Sequence, residues 1–336
     1  MTETMLAGRL TMSTREFALE QVPIPVPAAG EVRVKVGAAG VCLSDVHLIE
    51  GLLTPALLKG EVVTLGHEVA GTVESLGDGV EGWMLGDRVV VKAGVERGGR
   101  TYTMGVDYDG GWAEYLVAPS ANLVAIPDDL PFEQACIIPD AVSTPWGAIE
   151  GTSQLRAGQA VGVWGVGGLG AHAVQLLRFA GAAPLVAIDP LAEARERALE
   201  FGADLALDPG DPEFRAKLAA VAPSGLDVAF DFAGVDAVRA QAISALGVDG
   251  KLVLVGLSGT PITIGDSSKF TYMRRQILGH YGSEPRHIDQ LIRLTAIGRL
   301  EFSRSISGVM PLSDAKKAIE QLETKQGNPI RLVLVP

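Results

Sequence analysis

The sequence predicts a two-domain α/β protein that combines a β-rich domain with a doubly wound parallel sheet. Its 336 residues are enough for about two domains at roughly 150 residues each. Within about the first 140 residues, apolar and polar residues alternate with a period of two, which is typical of half-buried strands. From about residue 155, apolar strands alternate with helical patterns, and this alternation favours a parallel sheet covered by helices.

The individual elements follow from the same patterns. In the N-terminal part, period-two alternation between Gly- and Asp-rich turns predicts strands at residues 31–36, 69–73, 88–92 and 113–117. Further along, apolar runs predict buried strands at residues 160–164, 185–188, 226–230, 251–255 and 276–280. Helical periodicity predicts helices at residues 169–180, 192–201 and 236–246. A helix at 288–297 and a strand at 330–335 complete the chain.

A glycine-rich loop between the strand at 160–164 and the following helix satisfies the pattern G-x-G-x-x-G. Gly165 permits the tight turn, Gly167 lets the backbone approach a pyrophosphate, and Gly170 lets helix and strand pack closely. Gly168 and Leu169 lie where the loop meets the predicted helix, whose free N–H groups and partial positive charge face the phosphates. The strand–loop–helix context predicts a Rossmann-type dinucleotide site and makes a purely structural glycine turn the weaker alternative.

The next predicted strand ends in Asp189, about 20 residues beyond the last glycine, as the dinucleotide pattern requires. The carboxylate of Asp189 is expected to accept hydrogen bonds from the adenosine ribose hydroxyls. It would also repel a 2′-phosphate, so the sequence favours NAD(H) over NADP(H).

A second group of chemically active residues lies in the first fifth of the chain. Cys42 and His67 are ligands that zinc prefers, and Ser44 and His47 are suited to carry a proton away. A lone cysteine or histidine is more often a buried core residue. The concentration of polar groups between residues 42 and 47 nevertheless favours a zinc site.

Composition excludes several other classes of protein. The net charge of −12 and the absence of a Lys/Arg cluster argue against nucleic-acid binding. No apolar stretch approaches the ~20 residues of a membrane span. The N-terminus lacks the basic region followed by an apolar core that is typical of a signal peptide, so we expect none. Two cysteines, Cys42 and Cys136, make a disulfide framework improbable, so we expect a cytoplasmic protein.

Taken together, the chain resembles the zinc-dependent alcohol dehydrogenases of the medium-chain dehydrogenase/reductase superfamily over essentially its whole length. The motifs that carry the resemblance are Cys42-x-Ser44-Asp45-x-His47, Gly66-His67-Glu68-x-x-Gly71, Gly86-Asp87-Arg88-Val89, Gly110-Gly-Trp-Ala-Glu114-Tyr115 and the loop from Gly165 to Gly170. The resemblance implies a GroES-like catalytic domain formed by residues 1–141 and 284–336, which encloses a Rossmann domain at 142–283 in the sequence.

The resemblance also implies roles for residues that spacing alone does not single out. Asp140 falls where many members have a cysteine and others an aspartate, so Cys42, His67 and Asp140 are the expected zinc ligands. Glu68 is the alternative third ligand. The glutamate at this position of the motif coordinates the metal in related polyol dehydrogenases. In other members it lies behind the metal and can replace another ligand.

Other residues around the expected metal have supporting roles in the same comparison. Ser44 and His47 form the expected proton relay, and Asp45 is expected to accept a hydrogen bond from His67. Leu43 stands where the family often has a basic residue that meets the pyrophosphate. Arg331 matches a position that reaches the pyrophosphate, with an exposed strand arginine as the alternative.

The expected reaction is the interconversion of an alcohol and an aldehyde or ketone with NAD(H), in which zinc polarises the substrate oxygen. Residues 92–109 lack the four cysteines of the structural-zinc lobe, so we expect one catalytic zinc per subunit and no structural zinc. A polyol or amino-alcohol dehydrogenase is the alternative, and a catalytically silent NAD(H)-binding protein is a distant one. The partner is a small alcohol or carbonyl compound, and the resemblance suggests a homodimer or homotetramer.

Overall fold

The computed structural model describes residues 3–336, without the side chain of Arg97, and contains two compact units. The first unit comprises the chain up to Ala141 together with Pro285–Pro336, and the second is Val142–Glu284. Among the helices of the described residues, none is both long and apolar enough to cross a membrane.

The strands are, in chain order, β1 (Thr4–Thr11), β2 (Glu16–Pro23), β3 (Glu31–Val41), β4 (Val62–Thr64), β5 (Val69–Leu76), β6 (Arg88–Val91), β7 (Gly94–Arg97), β8 (Arg100–Thr103), β9 (Tyr115–Pro119), β10 (Leu123–Ala125), β11 (Val161–Trp164), β12 (Leu185–Ile188), β13 (Leu205–Leu207), β14 (Leu226–Asp231), β15 (Leu246–Leu254), β16 (Gln276–Gly279), β17 (Ile306–Pro311) and β18 (Arg331–Val335).

The α-helices are α1 (Leu43–Glu50), α2 (Phe132–Ala135), α3 (Ser143–Trp146), α4 (Gly168–Ala180), α5 (Ala192–Glu200), α6 (Phe214–Val221), α7 (Asp236–Ala245), α8 (Ser267–Tyr272), α9 (Pro285–Ala296) and α10 (Ala315–Glu323). Two π-helical turns, Ile138–Val142 and Gly147–Ser153, flank α3. Short 3₁₀ turns occur at Ser120–Asn122, Ser303–Ser305 and Leu312–Asp314.

The first unit is built on a seven-stranded sheet with the order β10-β6-β5-β3-β18-β17, in which β9 also pairs with β3. A three-stranded sheet, β2-β1-β4, and a ribbon, β7-β8, complete its β structure. Alternation along β3 puts Val32, Val34 and Val36 into the core, as the predicted period of two requires. Strand β18 pairs antiparallel with the end of β3, so Leu332 lies opposite Val41. This pairing brings the C-terminal segment next to the residues that follow β3.

The second unit is a six-stranded parallel sheet with the order β13-β12-β11-β14-β15-β16. This is the doubly wound order, with β11 beside the point where the order reverses. All residues of β11 and β12 are buried, which explains their continuous apolar sequence. The predicted combination of a Rossmann-type sheet and a β-rich domain is therefore confirmed.

Some boundaries differ from the sequence prediction for local reasons. Strand β15 begins at Leu246, five residues before the predicted start, because Leu246 pairs with Leu226 ahead of an irregular stretch of the ladder. Helix α9 begins at Pro285, three residues before its predicted start. Proline suits the first turn of a helix because its missing N–H would have no partner there.

Candidate active site

Cys42 lies at the junction between β3 and α1, where the chain changes from extended to helical backbone. The N–H of Cys42 donates to Asp45 Oδ2 over 2.9 Å, which ties the start of the helix to the end of the strand. The helix ends at Gly51, whose φ of 79° is the left-handed conformation that glycine adopts readily. Cys42 is thus presented by a rigid junction, and its thiol is buried.

His67 and Glu68 occupy the loop between β4 and β5, and close backbone packing fixes that loop. Gly66 has a φ of 94°, and a Cβ on it would overlap the Trp112 ring. Glu68 points toward Gly40 of β3, where any side chain larger than hydrogen would overlap its carboxylate. Two glycines therefore make the space in which the Gly66-His67-Glu68 motif is held.

Asp140 comes from the first π-helical turn, Ile138–Val142. Single π turns are uncommon in proteins and are often found at functional sites. The side chain of Asp140 is 24 % exposed, whereas its neighbours Ile138 and Ala141 are buried. The carboxylate is therefore a partly accessible acid on an otherwise apolar segment.

These three segments bring Cys42, His67, Glu68 and Asp140 together, with one ligand atom from each within 4.8 Å of the others. Asp140 Oδ2 lies 3.7 Å from Cys42 Sγ and 3.5 Å from His67 Nε2. Ligand atoms held at about 2.0–2.3 Å from a tetrahedral zinc ion lie roughly 3.3–3.7 Å from one another. Thiolate, imidazole and carboxylate at these separations fit a zinc ion.

Glu68 has a buried cationic partner. The Nη2 atom of Arg331 on β18 lies 2.8 Å from Glu68 Oε1, and both side chains are at most 3 % exposed. Arg331 Nη1 also approaches the carbonyl of Val41 at 3.4 Å. Arg331 is thus buried behind the cluster, which removes the alternative of an exposed strand arginine.

The other nitrogen of His67 faces Asp45. Asp45 Oδ1 lies 3.5 Å from His67 Nδ1, somewhat longer than the 2.7–3.2 Å of a hydrogen bond. This leaves His67 Nε2 directed toward Asp140 and Ser44, whose Oγ is 3.3 Å away. An outer carboxylate that orients a histidine is the usual support for a metal ligand.

Burial and neighbouring charges shift the ionisation of the cluster. Burial disfavours the Cys42 thiolate, but the Arg331 guanidinium and His67 favour it more, so the pKa of Cys42 is lowered. Burial alone would lower the pKa of His67, yet Asp45 and Asp140 raise it well above its usual value. Burial raises the pKa of Glu68 well above its usual range against the opposing effect of Arg331. Acidic groups crowded around an imidazole in a buried volume are suited to hold a cation.

Ser44 and His47 lie three residues apart on α1, and both are half-buried. Residues at this spacing share one face of a helix. Ser44 is at the cluster through its contact with His67, and His47 follows on the same face.

In the second unit, the glycine-rich loop adopts the backbone that its sequence predicts. Gly165 has a φ of 85°, and a Cβ on Gly170 would overlap the Gly165 carbonyl oxygen. By contrast, a Cβ on Gly167 would meet nothing within 4 Å. Helix α4 then begins at Gly168 and continues through Leu169 and Gly170. The loop is therefore tight where it packs on itself and open at Gly167.

Asp189 follows β12 and connects that strand to the loop. Its Oδ2 accepts the N–H of Val166 at 2.8 Å, and its Oδ1 accepts the N–H of Leu191 at 2.9 Å. The residue is 8 % exposed. Because each carboxylate oxygen has two lone pairs, both retain capacity to accept further hydrogen bonds.

Comparison with known families agrees with both halves of this architecture. Residues 28–128 match the family model described as the alcohol dehydrogenase GroES-like domain, and residues 168–296 match the zinc-binding dehydrogenase model. The chain belongs to the zinc-dependent alcohol dehydrogenases of the medium-chain dehydrogenase/reductase superfamily. This dehydrogenase is an oxidoreductase of a family that uses zinc and a nicotinamide cofactor, and the predicted family is confirmed.

Several relatives resemble this dehydrogenase over most of their length. It is 28 % identical to the NAD-dependent alcohol dehydrogenase of Saccharolobus solfataricus, covering 99 % of this chain and 100 % of that one. It is 32 % identical to the (R,R)-butanediol dehydrogenase of Bacillus subtilis, over 72 % of this chain and 75 % of the relative. The crystal structure of 2R,3R-butanediol dehydrogenase from Bacillus subtilis matches with a TM-score of 0.90 and 25 % identity, covering 99 % of both chains.

The structure brings together Cys42, Ser44, His67, Glu68 and Asp140, and it adds Arg331 behind them. Sequence reasoning did not identify Gly40 as the residue that makes room for Glu68. Gly40 lies beyond the strand predicted at 31–36 but within the observed β3, and a glycine inside a strand often marks close approach of another group.

Proposed function

We propose that this dehydrogenase interconverts a secondary or primary alcohol and its carbonyl product with NAD(H), at one catalytic zinc ion per subunit. Cys42, His67 and Asp140 would hold the metal. The observation that carries the proposal is the buried cluster of thiol, imidazole and carboxylate, whose separations suit a tetrahedral ion. Zinc would supply a Lewis acid for the substrate oxygen, and the nicotinamide would exchange a hydride with the substrate carbon.

Asp140 is preferred to Glu68 as third ligand on electrostatic grounds. Arg331 already pairs with Glu68, whereas Asp140 Oδ2 faces both Cys42 Sγ and His67 Nε2. Glu68 is then the carboxylate behind the metal, held by the guanidinium of Arg331. Asp45 orients His67 from its other nitrogen.

The residues of α1 would handle the proton of the alcohol. The Ser44 hydroxyl lies 3.3 Å from His67 Nε2, and this position suits a group that accepts the proton of the substrate hydroxyl while it releases its own proton toward His47. His47, one helical turn further on the same face, would exchange that proton with water near neutral pH.

The coenzyme would bind at the second unit, with its pyrophosphate over Gly167 and the start of α4. We propose a preference for NAD(H), because the carboxylate of Asp189 can accept from ribose hydroxyls and repels a 2′-phosphate. Contact of Arg331 with the pyrophosphate remains a prediction from family resemblance, and so does an assembly of two or four subunits.

A vicinal diol or amino alcohol is the second substrate class. The support for it is the name of two relatives, the (R,R)-butanediol dehydrogenase above and an L-threonine 3-dehydrogenase of Pyrococcus horikoshii. Both classes use the same reaction, so they differ only in the substrate.

The test measures the zinc content of purified protein together with NAD⁺-dependent oxidation of simple alcohols, vicinal diols and amino alcohols, before and after chelation. We expect one zinc per chain and turnover that chelation removes and zinc restores. Two tightly bound zinc ions would contradict the single-site proposal. Zinc-free protein that still binds NADH would contradict the proposed reaction and favour a silent binding protein.

A further inference from the structure

A turn in the first unit, far from the cluster in sequence, is tied to the loop that carries His67. The turn comprises residues 103–109 between β8 and β9, and we call it the acidic turn because it contains Asp107 and Asp109. Asp107 closes the turn, since its Oδ2 accepts the N–H of Thr103 at 2.9 Å. Its Oδ1 accepts the N–H of Leu57 at 3.0 Å, which ties the turn to the segment before β4.

Asp109 makes the second attachment, to the end of β4. Its Oδ1 accepts the N–H of Thr64 at 2.7 Å and faces Arg9 Nη1 at 3.0 Å. The same Arg9 nitrogen donates to Thr64 Oγ1 at 2.9 Å. Thr64 is 2 % exposed and precedes His67 by three residues. One carboxylate oxygen thus joins β1, β4 and the acidic turn.

The backbone on either side of Asp109 packs directly against Gly66. A Cβ on Gly105 would lie 2.8 Å from the Gly66 backbone, and one on Gly110 would overlap the Gly66 carbonyl oxygen. The N–H of Gly110 donates to the Thr64 carbonyl, and the N–H of Gly111 donates to the Gly66 carbonyl, both at 2.8 Å. The peptide that precedes His67 is therefore held by the segment that Asp109 anchors.

We propose that Asp109 is a positioning residue for His67, which sets the place of the imidazole by anchoring the acidic turn to Thr64. The proposal rests on the proposed function, since it takes His67 as a zinc ligand. Metal ligands must be held within about 0.5 Å of their working positions, and the packing around Gly66 leaves no side chain to absorb a shift. A displaced acidic turn would move the Gly66 peptide and therefore His67.

The test measures zinc affinity by competition with a chelator of known affinity, for the full chain and for Asp109→Ala, Asp109→Asn and Arg9→Met. We expect Asp109→Ala to weaken zinc binding by about 10–100-fold, the range typical of groups that support metal ligands. Asp109→Asn should recover most of the affinity, because its amide oxygen still accepts the N–H of Thr64. Arg9→Met should fall between them, because it removes the ion pair with Asp109 and the hydrogen bond to Thr64 Oγ1 but leaves the bond from the Thr64 N–H to Asp109.

Asp87→Ala is the matched control. Asp87 is also a turn aspartate of the first unit, and its Oδ2 accepts the N–H of Met84 at 2.8 Å, but its turn joins β5 and β6 and is separate in sequence from the residues 105–111 that pack on Gly66. We expect this variant to lower the urea midpoint of unfolding without changing zinc affinity more than about twofold.

The possible outcomes distinguish failure of the Asp109 proposal from failure of the proposed function. If Asp109→Ala binds zinc as tightly as Asp87→Ala, Asp109 is only structural and the positioning proposal is wrong. If Asp109→Ala does not fold, equal zinc affinities of Asp109→Asn, Arg9→Met and the parent chain would overturn it. If the parent chain itself binds no zinc, the proposed function fails.

Discussion

The candidate metal cluster of the first unit (Cys42, His67, Glu68 and Asp140) and the glycine-rich loop of the second are built differently. At the cluster, charged side chains are buried together: Glu68 meets Arg331 as an ion pair, and His67 Nδ1 and Asp45 Oδ1 have no hydrogen bond among the described residues. At the loop, the groups that would meet a ligand belong mainly to the backbone, and both oxygens of Asp189 already accept backbone N–H groups.

The cluster and the loop differ in how much the rest of the fold must compensate for buried charge. Unpaired polar groups in a low-dielectric interior are costly; Arg331 compensates part of this cost, and the proposed zinc ion would compensate more. The loop is complete without a ligand and offers free helix N–H groups to one. We therefore expect substitutions at the cluster to affect both stability and chemistry strongly, and substitutions at the open position Gly167 of the loop to affect mainly coenzyme binding.

The largest effect is expected for Asp140→Ala. Removal of the proposed third ligand would leave Cys42 and His67, too few to hold a catalytic zinc, so zinc and activity should be lost together. We expect kcat/KM to fall by at least roughly 10³-fold, which corresponds to about 4 kcal/mol. Zinc content and initial rates check this, with Asp129→Ala as an exposed acidic control in the same unit. Full zinc content in Asp140→Ala would make Glu68 the third ligand.

The second largest effect is expected from disruption of the buried ion pair between Glu68 and Arg331. Arg331→Met leaves the Glu68 carboxylate buried without its cation, and we expect a loss of about 3 kcal/mol in the free energy of unfolding. The double variant Glu68→Gln/Arg331→Met should be more stable than the sum of the single changes predicts. Urea unfolding of all four proteins, with zinc removed, gives the coupling energy. Additive single effects would show that the pair is not coupled.

Asp189→Ala tests the loop. We expect NADH to bind about 10–100-fold more weakly, because hydrogen bonds to a charged acceptor contribute about 1.5–3 kcal/mol, and discrimination against NADPH should relax. Fluorescence titration with both coenzymes measures this. Asp204→Ala is the control, since Asp204 accepts the N–H of Leu185 at the opposite end of β12. An unchanged NADH/NADPH ratio in Asp189→Ala would place ribose recognition elsewhere.

The smallest effects are expected at two glycines of the loop, which distinguish an effect on stability from an effect on coenzyme binding. Gly170→Ala should cost about 1–3 kcal/mol of stability, because its Cβ overlaps the Gly165 carbonyl oxygen. Gly167→Ala should change stability by less than about 1 kcal/mol, yet weaken NADH by roughly tenfold, because the space above it is where a pyrophosphate would lie. Thermal unfolding without coenzyme and NADH titration distinguish the two. Tight NADH binding by Gly167→Ala would contradict the predicted phosphate position.

The sequence by itself determined the fold class, the family and the conformation of the glycine-rich loop. Each depends on short-range order: period-two alternation gave the strands of the first unit, and Gly165, Gly170 and Asp189 act within one strand–loop–helix–strand segment. Local spacing also placed Cys42, Ser44 and Asp45 together, because they occupy the same helix start.

Only the tertiary structure decided what surrounds the proposed metal ligands. The pairing of β18 with β3 buries Arg331 against Glu68, across 263 positions of sequence by the difference of their numbers, and the acidic turn reaches Thr64 through Asp109. Neither contact has a local pattern, because a side chain's partner across a sheet is set by register and packing. The sequence identifies the side chains that can bind a metal, and the fold determines which charged side chains lie next to them.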